Sequence, residues 1–393
     1  MNLPATTPAS NRPGSTIIEP VGAHGGAHFY DISLCRAIRQ AGIDATLATS
    51  DVTPQPDDVP VRHSYVRVFG RDAAWKRAWR FACGTVDALR WGGRRGHQIA
   101  HLHFYGFELL QLLNIGLVKL FGRKLVITAH DVEVFDGSHR VGRLARWAYG
   151  SADALIAHNE VTRQALLTQA AIPAARIHVI RHGDHLELVP RIIPVAEARR
   201  GLQLDEDAFV VGFFGQIKEV KGLDVLIRAA ARAKLKTSRR LHLLIAGRPW
   251  RNDFAPYQSL LDELGLAADT TLHIRYVADD ELPSFYCAAD VMVLPYRKIY
   301  QSGVILMAMA LKRPVVVSDL PGMTEMIEHR SNGLVFKTDD PQALAEQLLW
   351  AEANGSSLAE LASRAFERMS KEHAWQVVGA QTASLYDRIA AGT

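Results

Sequence analysis

Two Rossmann-like, doubly wound α/β domains facing a cleft are the fold class this sequence predicts. Three observations carry the expectation. The chain has 393 residues, too many for one ordinary core and suited to two domains of roughly 150–200 residues. Short β-branched or apolar runs alternate with amphipathic helical stretches, the pattern of parallel sheets covered by helices on both faces. That series runs to about residue 180, is interrupted by a polar, proline-containing stretch, and then starts afresh.

The first series opens with a strand at Thr16–Glu19, a glycine turn at Gly22–Gly26 and a helix over His28–Gln40 that Gly42 stops. Strands are expected at Ala45–Ala48, Ile99–His103, Leu125–Thr128, Ala154–Ala157 and Ile177–Ile180. Residues 190–208, with Pro190, Pro194 and the polar Asp205–Asp207, read as a linker. The second series places strands at Val210–Phe214, Leu241–Ala246, His273–Tyr276, Val291–Leu294 and Val315–Val317. Its helices are expected at Leu223–Lys234, Leu282–Ala288 and Val304–Leu311, and a final helix at Ala374–Ile389 carries Trp375, Val378, Leu385 and Tyr386 at helical spacing. The expected organisation is a flexible 1–14, a first domain over 15–190, a linker at 191–208, a second domain over 209–372, and a closing helical segment, 373–393.

Composition excludes several classes. Hydrophobic residues make up 48% and charged residues 22% of the chain, a globular balance rather than a disordered or fibrous one. No apolar run reaches the ~18 residues a bilayer span needs, and Met1–Gly14 lacks the features of a secretory signal. Cys35, Cys83 and Cys287 lie far apart with no C-x-x-C pair; a reducing cytoplasm is the expected compartment. Charge is uneven: residues 1–190 carry 21 Lys+Arg against 16 Asp+Glu, and residues 191–393 carry 24 against 25. Much of the excess lies in 71–95, where Arg71, Lys76, Arg77, Arg80, Arg90, Arg94 and Arg95 interleave with Trp75, Trp79, Phe81 and Trp91. Basic residues among tryptophans suit an anionic membrane surface, peripheral on the inner face of the plasma membrane. A solvated basic helix with its tryptophans packed inward is the alternative. No RNA- or DNA-binding motif accompanies the segment, so nucleic acid is not an expected partner.

Two glycine turns sit between a strand and a helix: Gly22-Ala-His-Gly25-Gly26 and Gly215-Gln216-Ile-Lys218-Glu-Val-Lys221-Gly222. Glycine there lets a ligand approach the free N–H groups at a helix start. Neither turn is G-x-G-x-x-G or a Walker loop, which weakens NAD and ATP readings, and Lys221 is placed to meet a diphosphate. The sharpest segment runs from Asp290 through Pro295, Tyr296 and Gln301-Ser302-Gly303-Val304 to Pro314. Ser302 reads as an N-cap, with the amides of Gly303 and Val304 as donors for a diphosphate.

With these residues in view, the chain resembles glycosyltransferases of the GT-B fold, and its motifs are similar to family 4. The resemblance rests on the first glycine turn, Phe214-Gly215-Gln216 with Lys221-Gly222-Leu223, and Ile245-Ala246-Gly247. Further motifs are Ala288-Ala289-Asp290-Val-Met-Val-Leu-Pro, Ala308-Met309-Ala310 before Arg313-Pro314-Val315, and Glu325-Met326-Ile327 with Asn332-Gly333-Leu334. It covers about Thr16 to Ile389 and implies a nucleotide-sugar donor, a co-substrate rather than a cofactor, with no metal. It also implies donor contacts from Gly25, Gly26, Gln216, Lys221, Tyr296, Gln301, Ser302, Gly303, Val304 and Glu325. Two positions depart from the family: its E-x7-E pair would fall on Ile299 and Met307, and its diphosphate-loop arginine on Gln216. Tyr300-Gln-Ser-Gly303 with His101-Leu-His103 looks instead like bacterial exopolysaccharide mannosyltransferases that use GDP-mannose and invert. A lipid-linked or polysaccharide glycan is the acceptor this implies.

Metal-free transfer needs positive charge or oriented dipoles on the departing diphosphate, for which Lys221, Lys218, Arg297 and the Ser302–Gly303 helix end are candidates. An inverting route adds a base near the acceptor hydroxyl. Asp131 is the favoured base, with His130 beside it binding sugar or phosphate; Glu133 is a further acid there, and Glu108 has a cap or hinge role ahead of a catalytic one. A retaining reaction with a UDP-sugar, a non-catalytic sugar-nucleotide or glycan binder, and an epimerase of the same fold remain alternatives. Asp205-Glu-Asp207 reads as a solvent-facing turn despite its D-x-D form, His182-Gly-Asp-His185 as a hinge contact to the ligand ahead of a metal pair, and Asp279-Asp-Glu281 as a helix cap.

Overall fold

The computed structural model describes residues 12–24, 28–132, 142–189, 191–250 and 253–392. The chain divides into two compact units, Met1–Gly183 with His373–Thr393, and Asp184–Glu372.

The first unit is built on a seven-stranded parallel sheet: β1 (Gly14–Glu19), β2 (Ala45–Ser50), β3 (Val61–Tyr65), β4 (His97–Tyr105), β5 (Lys124–Asp131), β6 (Ala154–Ala157) and β7 (Ile177–Val179). Their order is β3-β2-β1-β4-β5-β6-β7. Strands β1 and β2 are buried at every position, which is why they are written almost entirely in small, β-branched and apolar residues. Helices α1 (His28–Gln40), α2 (Ala74–Arg94), α3 (Leu109–Leu120), α4 (Arg143–Gly150) and α5 (Glu160–Thr168) connect them. The strand order reverses between β1 and β4, and in such a sheet the crevice beyond the carboxyl ends of those two strands is where ligands bind.

The second unit has six parallel strands: β8 (Phe209–Phe214), β9 (Leu241–Ala246), β10 (Thr270–His273), β11 (Val291–Leu294), β12 (Val315–Ser318) and β13 (Leu334–Phe336). Their order is β10-β9-β8-β11-β12-β13, with the reversal between β8 and β11. Its helices are α6 (Val195–Gly201), α7 (Leu223–Lys234), α8 (Ala255–Glu263), α9 (Leu282–Ala288), α10 (Gly303–Ala310), α11 (Pro321–Thr324), α12 (Pro341–Ala353) and α13 (Gly355–Glu372). The last helix of the chain, α14 (Trp375–Ala391), belongs to the first unit and packs along α1. Gly379 is the point of closest approach, where a Cβ would fall 2.4 Å from the Ala37 carbonyl oxygen. Arg12 is paired with Asp387 on the same helix.

The structure departs from the sequence expectations at the edges. Strand β3, Val-Arg-His-Ser-Tyr, is an outer strand with only its ends buried, so it lacks the apolar run that marks the inner strands. The edge strand β10 covers 270–273, where 273–276 was expected. Its pairing with β9 puts Thr270 opposite Leu243 and His273 opposite Ala246, and His273 is its last residue. The stretch 191–208 corrects from linker to structure: α6 lies within it, and Arg199, 3% exposed, donates to the Ala288 carbonyl and pairs with Asp290 at 2.8 Å. Pro190 and the first eleven residues of the expected N-terminal tail lie outside the described residues.

Gly379 gives a direct check on the α1–α14 contact. Gly379→Val should lower unfolding free energy by about 1–3 kcal/mol, the usual cost of overpacking. Urea unfolding measures it; an unchanged midpoint would mean the two helices are not in contact.

Candidate active site

In the second unit the turns after β8, β9 and β11 press backbone against backbone. Gly215 follows β8 with φ +116°, Gly247 follows β9 with φ +145°, and Gly222 opens α7 with φ +64°. A Cβ on Gly247 would lie 1.8 Å from the Gly215 carbonyl oxygen, and one on Gly222 would lie 1.9 Å from the Pro295 carbonyl oxygen. Gly247 and Gly222 combine a left-handed backbone with a contact no side chain can share, so glycine is obligatory at both. The turn around Lys221 is thereby pressed onto the end of β11, where the Lys221 ammonium lies 3.7 Å from the centroid of the Tyr296 ring. Tyr296 is 1% exposed. Its part is to carry Lys221 on its ring face, a cation–π contact.

Beyond Tyr296 the chain turns into α10. Ser302 occupies the N-cap position with extended backbone, but its side chain makes no capping hydrogen bond. The expected hydroxyl cap is therefore absent, and this end of α10 keeps its amide donors available for a ligand anion. A Cβ on Gly303 would lie 3.1 Å from His185 Cε1, so His185 stands at the helix start. Gln301 Oε1 is buried with no hydrogen-bond partner among the described residues. Gln216 and Val304 are half-buried in the same region. Glu325 follows α11, and its carbonyl accepts from Arg368. Met307 lies in the apolar core of this unit and Ile299 packs against it.

Arg297 is corrected. Its guanidinium is held by both carboxylate oxygens of Asp224 at 2.8 and 2.7 Å and by Asp339, so it ties the loop to α7 rather than waiting for a diphosphate. Lys218 lies over the Trp250 ring at 4.5 Å. Asp205 accepts the Asp207 amide in an exposed turn.

In the first unit, histidines from four strand ends surround one tyrosine. The Tyr30 ring on α1 lies 5.3, 4.9, 5.5 and 4.6 Å from those of His103, His130, His158 and His182, and 5.4 Å from Trp375. His101 bonds Tyr386 and Thr128, each at 2.7 Å, and is thereby held in the core. His182 Nδ1 contacts its neighbour Gly183's carbonyl oxygen, and Gly183 lies under the Trp375 indole. His130 stacks on Tyr105 at 4.2 Å, and its Nε2 is buried without a partner among the described residues. Burial, with the neighbouring imidazoles second, holds His130 well below the ordinary histidine value; it is a neutral ring able to accept a hydrogen bond. Asp131 is half-buried, and its carbonyl accepts from the Tyr149 hydroxyl. Glu108 is exposed at the N-cap of α3, its amide bonded to Gln111 Oε1 at 2.9 Å, the cap role. Gly25, Gly26 and Glu133 lie outside the described residues.

Sequence reasoning missed the acids of this cluster. Asp31 Oδ1 is 2.8 Å from His103 Nδ1, with both side chains fully buried. Glu19, at the end of β1, is 1% exposed and accepts the Val21 amide. Burial and the nearby Asp31 charge push its carboxyl up to about 8. An acid at a strand end reads from sequence as an exposed cap; only the sheet order reveals that β1 ends beneath α1 and β4.

Residues 24–187 match the family described as Glycosyltransferase Family 4, and residues 208–354 match Glycosyl transferases group 1. A D-inositol 3-phosphate glycosyltransferase of Nocardioides sp. is 30% identical over 396 residues, covering 93% of this chain and 86% of that one. The chain belongs to the family 4 glycosyltransferases. A D-inositol 3-phosphate glycosyltransferase of Thermobispora bispora is 31% identical over 243 residues, covering 60% of this chain but only 56% of that relative. Anabaena HepE, solved in complex with UDP, superimposes with a TM-score of 0.75 at 19% identity over 95% of this chain and 99% of that one. The glycosyltransferase thus has the GT-B fold.

The buried ionisable groups of the glycosyltransferase predict its pH–stability profile. Folded Glu19 holds its proton up to about 8, against an ordinary value of 4.5. As pH rises from 4.5 towards 8 the unfolded chain releases that proton first, so stability falls. His103 and His158, held by burial at about 4 against 6.5, make stability fall as pH drops from 6.5 towards 4. Melting temperature measured from pH 4 to 9 should show both limbs. Glu19→Gln should flatten the upper limb, an effect on the order of 1 kcal/mol or more, and leave the lower one.

Proposed function

We propose that this glycosyltransferase moves a hexosyl group from a nucleotide-diphosphate sugar to a hydroxyl of a lipid-linked or polysaccharide glycan, without a metal. The open N-terminus of α10, beside Lys221 and the glycine turns, carries the reading. Carbon 1 of the sugar bonds to the acceptor oxygen as its bond to the diphosphate breaks. The electron pair leaves with the nucleoside diphosphate, stabilised by the helix-end amides and Lys221. Asp131 takes the hydroxyl proton, with the neutral His130 beside it, in an inverting reaction.

GDP-mannose is the donor favoured here, on the Tyr300-Gln-Ser-Gly303 loop and on Ile299 and Met307 in place of the carboxylate pair. A UDP-sugar is the second reading, supported by the UDP complex of HepE; the Nocardioides relative's name favours a phosphorylated polyol as acceptor. GDP, UDP and their sugars should be titrated while following melting temperature, since a ligand at 100 times its dissociation constant adds about 2.7 kcal/mol. At least one diphosphate nucleotide should bind, unaffected by a chelator. Lys221→Met should weaken it roughly tenfold or more, the worth of a charge-assisted hydrogen bond. No binding by any nucleotide would reject the reading.

Peripheral attachment to an anionic bilayer at the cytoplasmic face is the second part of the proposal. Trp75 and Trp79 are 70% and 68% exposed, which favours the membrane reading of 71–95 over inward packing. The double change Trp75→Ser and Trp79→Ser should abolish cosedimentation with phosphatidylglycerol vesicles; unchanged cosedimentation would remove the membrane from the account.

A further inference from the structure

The first unit contains a cavity of about 590 Å³ between α2, α3 and the carboxyl ends of β1 and β4. Helix α2 lines it with Ala74, Arg77, Ala78 and Phe81, and α3 with Leu110, Gln111 and Asn114. Both sets recur at the three- and four-residue spacing of one helix face. The deep end is polar, with Glu19 and His103 both buried. The walls are largely apolar, and Phe69, Tyr105 and Leu110 stand exposed at the rim.

Arg77 is the anomaly. The Arg77 Nε is buried with no hydrogen-bond partner among the described residues, as is the Nε2 of His103 at the deep end. Arg77 is half-buried and its guanidinium always charged, so the buried Nε is a donor that an anion in the cavity would satisfy. The acid beside it on the cavity floor, Glu19, is held in its neutral form at neutral pH by burial, and no ion pair joins Arg77 to it among the described residues. Continuing outward from the cavity, α2 carries exposed Trp75 and Trp79, and α3 carries exposed Leu109 and Leu113.

We infer that this cavity seats an anionic amphiphile: a phosphate group held by Arg77, and a hydrocarbon chain lying between Phe69, Phe81 and Leu110 and leaving between the exposed faces of α2 and α3. The inference rests on the transferase reading and sharpens it, because it names the acceptor's chemistry as a lipid phosphate. Charge complementarity commits the site to the phosphate head, since an arginine without a counter-ion selects an anion. The apolar walls commit it to an attached chain, since inorganic phosphate would leave them uncovered.

Decyl phosphate, decanol and inorganic phosphate, each below any micelle concentration, test it by titration calorimetry on the full chain. Decyl phosphate should bind saturably and roughly tenfold or more tighter than decanol, the worth of one charged hydrogen bond. Arg77→Met should remove that preference while decanol still binds, and Arg77→Lys should restore part of it. Phe81→Ser should weaken both alkyl ligands. Inorganic phosphate binding as well as decyl phosphate, or a phosphate preference unchanged in Arg77→Met, would overturn the inference. GDP and UDP binding, measured on the same samples, separates this outcome from failure of the donor assignment and reports that the variants are folded.

Discussion

Backbone pressed against backbone is the constraint on which the second unit depends. Three turns leave the carboxyl ends of β8, β9 and β11 so close together that two glycine Cα atoms lie where any side chain would collide with a neighbouring carbonyl: Gly247 over Gly215 and Gly222 over Pro295. Close packing of this kind removes the freedom of the loops, whose own amides are tied back, Gly215 to the Ala246 carbonyl and Gly247 to that of His273. It also fixes Lys221 over Tyr296 and brings the start of α10 into the same crevice, at the sheet's topological switch point. A helix end presented without a side-chain cap is costly unless a ligand or water satisfies it, and a diphosphate suits both its geometry and its charge.

The first unit is governed by a different force, desolvation. Glu19, Asp31 and the four imidazoles His101, His103, His130 and His158 are removed from water together, and burial is the leading cause of every shift among them. The acids are pushed towards their neutral form and the histidines towards theirs, so a site rich in titratable groups carries little net charge. Neutral rings that accept a hydrogen bond and neutral acids that donate one suit the recognition of hydroxyls. The chain's last helix completes the arrangement, supplying Trp375 to the Tyr30 cluster and Tyr386 to His101.

Inner strands were legible from sequence because burial on both faces leaves an unbroken apolar run; Ala154–Ala157, Leu241–Ala246 and Val291–Leu294 fall where the pattern puts them. The glycine turn at 215–222 and the strand–loop–helix course of 290–314 were legible because their backbone demands are local. What escaped was set by distant neighbours. Arg297 reads as a diphosphate ligand until Asp224, far off in sequence, is seen to grip it. Tyr30 reads as an ordinary core position of α1, since nothing in the sequence announces that four histidines from separate strands converge on it. Glu19 could have been suspected only from its place immediately after Ile17-Ile18, where a fully buried strand carries its acid inward.

Backbone amide resonances of Gly303 and Val304, followed by nitrogen-15 NMR during titration with GDP and UDP, test the central claim most directly. The account predicts that the nucleotide that binds shifts these two signals, with Gly215, more than any amide of α12 or α13. Saturable binding that leaves Gly303 and Val304 unmoved would contradict it.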